Sequence, residues 1–448
     1  MFVNTSKISN ILIFLDTLIS INGTRPTSSI FTADIIPSTV VTLDLEVCKA
    51  LEYITRSFRY AVVTQYSYET LDLIRQKLKP QIEFGACFAE DRGNLSLSDV
   101  GRQIKIAVHT LGFKPCETVF LSGDATSITT AIENNLGTVC WVNKNHNLKV
   151  IFESGTDFIA DTVIDIQNIL TWKSRGYYSE VMACPPDFFM GKPDYKRDPL
   201  VGLNNEERAG EYIFVGGRYF STKDTRYQRH ALSLRIINSK DHMENQRPLF
   251  SSIMANMVLS IANHTKLTPD LITRVPAKPG QHDRLAEQLQ AIPAVTNGKI
   301  SMDRIAPDIL TCTRTFPSQK GIGYTSRRDN VRGAFKAHPA VAGKIVYVMD
   351  DVLTSGSTLK EACNILYAAG AKFVIPLAMA FHPRTLTSDM PNIKCKKCGV
   401  GTIKARCGRN GSIFYGCSNY FPGKCKASSD FKSGVVFINR ALRIDTPE

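Results

Sequence analysis

No apolar run in the sequence approaches the ~20 residues that a membrane-spanning helix needs. A cleavable leader is not expected either. The apolar stretch at residues 11–21 is interrupted by Asp16, and no small-residue cleavage site follows it. Cysteine is too sparse for a small disulfide scaffold: twelve in 448 residues, several of them clustered at metal-ligand spacing. That usage fits a reducing compartment, and a cytoplasmic protein with no membrane partner is the expectation. Acidic residues are in deficit, with 41 Asp+Glu against 54 Lys+Arg for a net charge of +13. From residue 391 onward, eleven Lys+Arg stand against three Asp+Glu, so one short stretch carries +8 of that excess. Charge concentrated in this way points to a polyanionic partner; the plainer alternative is a solvated basic tail. Hydrophobic residues make up an ordinary 43%, and the length suggests about three domains.

The most informative stretch is residues 345–369. Ile345-Val346-Tyr347-Val348-Met349 is a short β-branched run of the kind that forms a buried strand. Asp350 and Asp351 follow at its C-terminal end, then the hydroxyl-rich Leu353-Thr354-Ser355-Gly356-Ser357-Thr358. A helical pattern begins at Leu359, with Leu359, Ala362, Cys363 and Leu366 on one face and Gly370 as its C-cap. Residues 373–380 read as the next parallel strand. In such a β–loop–α–β unit the functional groups sit at the carboxyl edge of the sheet. A phosphate needs inward backbone N–H groups at a helix start and a chain that lets it come close, which Gly356 and the hydroxyls supply. Adjacent carboxylates suit vicinal sugar hydroxyls with Mg2+ nearby, so the ligand expected is a ribose 5-phosphate group. The bland reading is an ordinary Rossmann-like turn with two surface acids.

These residues resemble the PRPP-binding signature of type I phosphoribosyltransferases: an apolar strand, two acids, then T-T/S-G-x-T. Upstream, Arg327-Arg328-Asp329-Asn330-Val331-Arg332-Gly333-Ala334-Phe335 is similar to the R-x-x-N-V-x-G-A-F segment of the ComF-type members. Arg314, Thr315 and Gln319 resemble that family's R-x-T-x-x-Q loop, with the threonine one place early and Phe316 in its slot. Residues 270–276 resemble its strand ending in V-P, followed by Lys278 and Arg284. The family's R-G-F-N-Q stretch is replaced by Gln281-His282-Asp283-Arg284-Leu285. The resemblance implies displacement of pyrophosphate at C1 of PRPP, or the reverse, assisted by Mg2+. Asp350 and Asp351 would hold the ribose hydroxyls, Thr354, Ser355, Gly356, Ser357 and Thr358 the 5-phosphate, and Lys278 and Arg284 the pyrophosphate. Arg314 and Gln319 would work from a loop over the site. A homodimer is usual for such transferases.

The N-terminal part presents three more strands tipped with polar groups: residues 11–15 ending in Asp16, 61–63 ending in Thr64, and 118–122 ending in Gly123-Asp124. A helix at 127–135 and a strand at 138–142 follow. This order resembles the haloacid dehalogenase (HAD) superfamily, which implies an Asp nucleophile, a second Asp as acid/base, a Ser/Thr and a Lys at phosphate, and acids for Mg2+. Asp16, Thr64, Asp124 and either Lys114 or Lys105 would take those places. The chain departs from D-x-D, because Leu18 stands two residues after Asp16, and Ser127 and Ile128 replace the last acid. One carboxylate cannot be both nucleophile and proton donor in a turnover. A degenerate HAD-like fold is expected over residues 1–157.

At the C-terminal end, Cys395-Lys396-Lys397-Cys398 is a CxxC knuckle, and Cys417 and Cys425 supply a second pair eighteen residues further on. Four thiolates so spaced can fix a structural Zn2+ in a module too small for its own core; a redox dithiol at Cys395 and Cys398 is the alternative. The text from Arg406 to Cys425 resembles the C4 zinc finger of bacterial type IA topoisomerases, which implies a single-stranded nucleic-acid partner. Phe414, Tyr415 and Tyr420 would stack bases while Lys396, Lys397, Arg406 and Arg409 follow phosphates. Cys407 reads as a strand residue.

The expected architecture is therefore α/β: a HAD-like Rossmannoid domain (1–157), a connecting region (158–210), a type I phosphoribosyltransferase parallel-sheet domain (211–388), a zinc ribbon (391–430) and a tail (431–448). Two rival functions stand beside the transferase: a DNA-binding adaptor that senses PRPP or a nucleotide without turnover, and a HAD-type phosphatase acting on a nucleotide-like product.

Overall fold

The computed structural model describes residues 8–25, 35–79, 82–90, 99–143, 146–171, 173, 176–184, 200–205, 208, 211–222, 224, 226–227, 230–239, 243–317, 329–383, 394–401, 403–407, 413–417, 419 and 424–430. Among these, no helix is long and apolar enough to cross a membrane.

The first unit runs β1 (Asn10–Phe14), β2 (Ile19–Ile21), β3 (Val41–Leu43), α1 (Leu45–Ser57), β4 (Arg59–Ser67), α2 (Tyr68–Leu78), β5 (Cys87–Glu90), α3 (Asp99–Thr110), β6 (Thr118–Ser122), α4 (Ala125–Glu133), β7 (Gly137–Trp141), α5 (Leu148–Glu153), β8 (Phe158–Ala160), α6 (Val163–Leu170) and α7 (Tyr178–Ala183). Six strands form a parallel sheet in the order β5-β4-β1-β6-β7-β8, and β2 and β3 pair as a separate hairpin after β1. Because successive strand residues face opposite sides, the apolar run of β1 feeds two cores. Ile11 and Ile13 pack with α1, α2 and α6, whereas Leu12 and Phe14 pack with α3 and α4.

The second unit runs β9 (Val201–Asn204), β10 (Tyr212–Val215), α8 (Ala231–Asn238), α9 (Met243–Thr265), β11 (Leu271–Arg274), α10 (Arg284–Gln290), α11 (Ile292–Val295), β12 (Leu310–Cys312), β13 (Phe335–Ala337), β14 (Ile345–Leu353), α12 (Ser357–Ala368) and β15 (Phe373–Phe381). Its sheet has the order β11-β14-β15-β10-β9, parallel except for the antiparallel edge strand β9. Val346 and Val348 of β14 face α12, while Tyr347 and Met349 face α8, α9 and α10. β14 continues through both acids to Leu353, so its last pairs with β15 carry Asp350 to the sheet's carboxyl edge. β12 and β13 form a short antiparallel ribbon. A third, three-stranded antiparallel sheet is built from β16 (Ile403–Cys407), β17 (Ile413–Cys417) and β18 (Ser428–Asp430).

Of the stretch 158–210, read from sequence as a connector, the described residues hold regular structure, and residues 185–199 lie outside them. β8 completes the first sheet, α6 packs on it, α7 packs against α8 and α9 of the second unit, and β9 edges the second sheet. Residues 161–170 read from sequence as either a helix or a strand and form α6, while β8, α7 and β9 are short elements whose apolar partners are distant in sequence. The junction is a packed core: Phe152 meets Tyr177 edge-on at 4.8 Å and Phe381 at 5.5 Å between ring centroids. Arg218, shortly after β10, is 1% exposed. Its guanidinium donates to both carboxylate oxygens of Glu180 (2.8 and 2.9 Å) and to the carbonyls of Gly155 (2.7 Å) and Thr156 (2.8 Å). It also lies 3.3 Å from Asp157. Gly216 lets α7 come close to the end of β10, since a Cβ there would stand 2.0 Å from Ser179 Oγ.

Candidate functional site

At the carboxyl edge of the second sheet, β14 delivers Asp350 and Asp351, both half-buried. Each folds onto a neighbouring amide: Asp351 N–H donates to Asp350 Oδ1 (2.9 Å) and Val352 N–H to Asp351 Oδ1 (2.7 Å). Burial, with the Asp351 charge beside it, holds the Asp350 carboxyl well above the usual carboxylate range. Two carboxyls side by side offer several acceptor oxygens, which suit the two O–H donors of a vicinal diol. An all-oxygen pair also suits a hard cation such as Mg2+, whose charge would favour the ionised form of both.

The loop that follows turns at Gly356, whose φ of +77° is costly for any residue with a Cβ. Gly356 caps α12 without a side-chain bond, so the N–H groups of the helix's first turn face the loop. Ser355 and Ser357 hydroxyls lie 3.1 Å apart, Ser357 is buried, Thr358 is half-buried and Thr354 is exposed. Lys360, one turn into α12 and 6% exposed, runs along Gly356, with its Cε 3.6 Å from where a Cβ would stand. Its burial was not legible in the sequence, where it reads as a surface helix residue.

The loop after β11 faces the acids across a cavity of about 200 Å3 lined by both carboxylates, by residues 275–277 and by residues 281–285. Arg284, assigned to this wall from sequence, lines the cavity and its Nη1 lies 3.4 Å from the Ser239 carbonyl. Lys278 points elsewhere: its Nζ donates to the Phe316 carbonyl (2.6 Å) and sits 4.4 Å from that ring's centroid. Arg314 is exposed and donates to the carbonyls of Asn330 (3.1 Å) and Arg332 (2.7 Å), bracing the segment between β12 and β13. Thr315 is exposed beside it, whereas Gln319, Arg327 and Arg328 lie outside the described residues. Two groups went unread in the sequence. Tyr219, after β10, has its hydroxyl pushed up by burial and by the Asp351 charge. Its ring centroid is 5.7 Å from that of His382, which follows β15. Only the long-range pairing of β10 with β15 brings Tyr219 to the acids; the text Gly216-Gly217-Arg218-Tyr219 reads as a turn.

In the third unit, the sulfurs of Cys395, Cys398, Cys417 and Cys425 all lie within 4.8 Å of one another. Cys395 to Cys425 is 3.8 Å and Cys398 to Cys417 is 3.6 Å. Four Zn–S bonds of ~2.3 Å in a tetrahedron place sulfurs about 3.8 Å apart, so the set has the dimensions of a zinc site. Gly401 N–H donates to Cys398 Sγ (3.3 Å) and Asn419 N–H to Cys417 Sγ (3.4 Å), bonds that favour thiolates. Cys407 stands on β16, paired in register with Ile413. Lys396 and Lys397 are exposed in the knuckle. Arg406 on β16 and Phe414 and Tyr415 on β17 hold strand positions, Arg406 opposite Phe414; Arg409 and Tyr420 lie outside the described residues.

In the first unit, the C-terminal ends of β1, β4 and β6 bring Asp16, Thr64 and Asp124 to one edge of the sheet. Asp16 is 0% exposed and accepts from the Thr64 hydroxyl and from Gln65 N–H (2.8 Å). Burial pushes its carboxyl up to about 7, against the lowering effect of those two bonds. Asp124 caps α4, accepting from Ser127 N–H at 2.8 Å. Thr17 Oγ1, Ser122 Oγ and Ser127 Oγ form a chain of hydroxyls at 3.0 and 2.6 Å between them. Leu18, where the acid/base belongs, is buried at 0%. Neither lysine takes the expected place. Lys114 precedes β6, so it stands at the opposite edge of the sheet from Asp124, and it pairs with Glu117 at 3.4 Å. Lys105 lies on α3, where its charge is felt by Glu133.

No family model matches the chain. It is 26% identical over 135 residues to the DNA utilization protein YhgH of Escherichia coli O6:H1, and 25% identical over 135 residues to that of strain K12. Each match covers 29% of this chain and 60% of the relative's own length. Among solved structures, the fold is similar to a haloacid dehalogenase-like hydrolase, SP0104 from Streptococcus pneumoniae: TM-score 0.29, 12% identity, 37% of this chain and 99% of that one. It is similar also to L-2-haloacid dehalogenase from Xanthobacter autotrophicus: TM-score 0.24, 12% identity, 29% of this chain and 62% of that one. Likeness at this level carries no argument about activity.

Proposed function

We propose that the second unit binds a ribose 5-phosphate group and works as a Mg2+-assisted phosphoribosyltransferase, exchanging pyrophosphate at C1 of PRPP with an acceptor. The observation that carries this reading is the junction of β14 and α12. Two carboxyls line a cavity, and a left-handed glycine then turns the chain into a helix start rich in hydroxyls. Thr354, Ser355, Ser357 and Thr358 would hold the 5-phosphate with the helix amides. Asp350 and Asp351 would orient the ribose hydroxyls and, once ionised, share them with Mg2+, which neutralises charge on a departing pyrophosphate. Tyr219 and His382 would wall the sugar on the β10 side and exclude water. The zinc ribbon, with Lys396 and Lys397 exposed, would bring the site to single-stranded nucleic acid.

Calorimetric titration of ribose 5-phosphate and PRPP, each with Mg2+, into the wild type and an Asp350→Asn/Asp351→Asn variant tests the reading. Binding to the wild type that falls at least tenfold in the variant supports it. No binding of either ligand to folded wild type refutes it.

A second reading, a phosphatase at Asp16, draws on the meeting of Asp16, Thr64 and Asp124 at one sheet edge. Full burial of Asp16, and an equally buried Leu18 in the place of the acid/base, weigh against it. Nucleotide hydrolysis abolished by Asp16→Asn would establish it.

A further inference from the structure

We propose that the uncovered amino half of the second sheet is a binding surface for single-stranded nucleic acid, separate from the acid pair and from the zinc ribbon. It owes nothing to the transferase reading, and it gives the polymer proposed for the ribbon a second contact. Alternate residues of β10 and β15 face the side of the sheet on which α8, α9 and α10 pack. Toward the carboxyl edge these helices bury Leu377 and Met379, together with Tyr347 and Met349 of β14. Toward the amino edge the cover stops. Tyr212 is 48% exposed and Phe373 40%, and Phe214 and Ile375 beside them are half-buried. Phe214 stands opposite Leu377, so the register sets Tyr212 against Ile375, two residues from Phe373. With ~4.8 Å between strands and ~3.3 Å per residue, the Cα atoms of Tyr212 and Phe373 are about 8 Å apart. The rings of Tyr212 and Phe214 lie 6.4 Å apart between centroids. Gly202 of β9 leaves room for the outer ring, since a Cβ there would stand 3.3 Å from Tyr212 Cδ1. Three rings thus form one strip across two neighbouring strands. Phe373 is five residues from Ala378, the partner of Asp350, which puts the strip roughly 17 Å from the acids along β15.

Charge names the occupant. Lys372 precedes Phe373, and its Nζ is 6.0 Å from that ring's centroid. Lys344 stands one strand over, where its carbonyl accepts from Lys372 N–H at 2.8 Å, and both lysines are exposed. Lys266, also exposed, comes to the same edge after α9, because Tyr347 of β14 donates its hydroxyl to the carbonyl of Leu267 at 2.7 Å. Two acids here are engaged by the chain: Asp270 Oδ2 accepts from Ile345 N–H (2.9 Å) and Glu211 Oε1 from the Tyr367 hydroxyl (2.7 Å). Exposed rings rimmed by lysines offer stacking faces to bases and cations to the phosphates between them. An extended peptide finds less to hold. β10 and β15 are each paired on both sides, so they offer no free edge for a further strand. A duplex keeps its bases stacked on one another and cannot lay them on the rings.

The test is fluorescence anisotropy on the full, zinc-loaded chain with labelled oligothymidylate and oligouridylate, and with a duplex as control. The expected result is that at least one single-stranded oligomer binds more tightly than the duplex. Tyr212→Ala and Phe373→Ala should each weaken that binding by about fivefold or more, the loss that one stacked base predicts. Phe373→Trp, which keeps a ring, should stay within twofold, whereas Phe373→Leu should not. Lys344→Gln/Lys372→Gln should lower the slope of log affinity against log salt by about 1. Circular dichroism melting confirms that the variants fold, and their ribose 5-phosphate binding should match the wild type. The ring losses should persist in a Lys396→Gln/Lys397→Gln background, where the ribbon is weakened. Binding indifferent to both rings, equal binding of the duplex, or ring losses that vanish in the ribbon background each overturn the inference and leave the transferase reading intact. Silence from every oligomer overturns both this surface and the ribbon's role, again without touching the acid pair.

Discussion

Replacing Arg218 by Met tests whether the two α/β units are welded by a single buried cation. In the native chain, burial alone would push the Glu180 carboxyl up, but Arg218 and His230 beside it hold it well below the usual range. The variant leaves Glu180 with His230 at 3.1 Å and the backbone N–H of residue 218 at 2.8 Å, deprives Asp157 of its 3.3 Å partner, and removes a donor from the carbonyls of Gly155 and Thr156, the latter keeping the Tyr177 hydroxyl at 3.0 Å. Removing one partner of a buried pair costs about 3–5 kcal/mol, because the remaining charge stays out of water. Against a total stability of about 5–15 kcal/mol, that is a large fraction. Arg218→Lys keeps the charge and loses the fork that grips both oxygens of Glu180, so it should fall between.

The assay is urea unfolding at pH 7.5 on Arg218→Met, Glu180→Gln and the double variant. The cycle should give a coupling of about 2 kcal/mol or more, since a neutral amide in place of the Glu180 carboxylate no longer needs the guanidinium. A coupling within about 0.5 kcal/mol, or an Arg218→Met chain as stable as wild type, would refute the argument. The pH dependence has a definite sign. His230 is lowered to about 4 by burial, despite the Glu180 charge. Its contribution is complete above its ordinary value near 6.5 and is lost as the pH falls toward 4, by roughly 3 kcal/mol. Glu180, also depressed, contributes above its unfolded value and loses that contribution in more acidic solution, so both groups make acid destabilising.

Asp16→Asn should stabilise the chain at pH 8. Its raised folded value means that ionisation costs stability as pH climbs from about 4 to about 7, and the amide removes that cost. An amide oriented with its oxygen to Gln65 N–H and its nitrogen to Thr64 Oγ keeps both bonds, so a gain of roughly 1–3 kcal/mol that vanishes near pH 4 is expected in thermal melts. A loss of stability at pH 8 would mean that the carboxylate is held for another purpose. Purified protein should carry one zinc per chain by elemental analysis, and Cys417→Ser should lose it. Retention of zinc in that variant would place the ion elsewhere.

The sheet signals were local and therefore legible. β14, α12 and β15 follow from an apolar run, a glycine-punctuated loop and an apolar stripe, all within one segment. The four cysteines were equally readable, because metal geometry limits their spacing so tightly. What the text concealed depends on distant partners. β8, α6 and α7 are short and flanked by charge; β8 holds by pairing with β7, α6 by packing on α1, and α7 by packing on α8 and α9. Tyr219 lay in a turn motif, and nothing local ties it to Asp351. Lys114 matched a motif in type and order but not in position, because order along the chain does not say which edge of a sheet a residue occupies.

Asp16 and the Asp350–Asp351 pair make the same point from opposite sides. Each follows an apolar strand, and the bare text of both reads as a strand with a carboxylate at its tip. The fold then separates them. At Asp16, the neighbouring strands contribute Thr64, Ser122 and a capping Asp124, whose hydroxyls and amides close over the edge, and the carboxyl, sealed from solvent, drifts toward neutrality. At Asp350, a longer strand carries two adjacent acids along the sheet's carboxyl edge, where they line a cavity, and the next residues turn into a helix start. An acid at a strand end becomes a site only when the elements around it leave space and polarity unfilled. By that criterion the second unit offers the open, polar cavity on which the proposed function rests, and the first offers a sealed carboxyl.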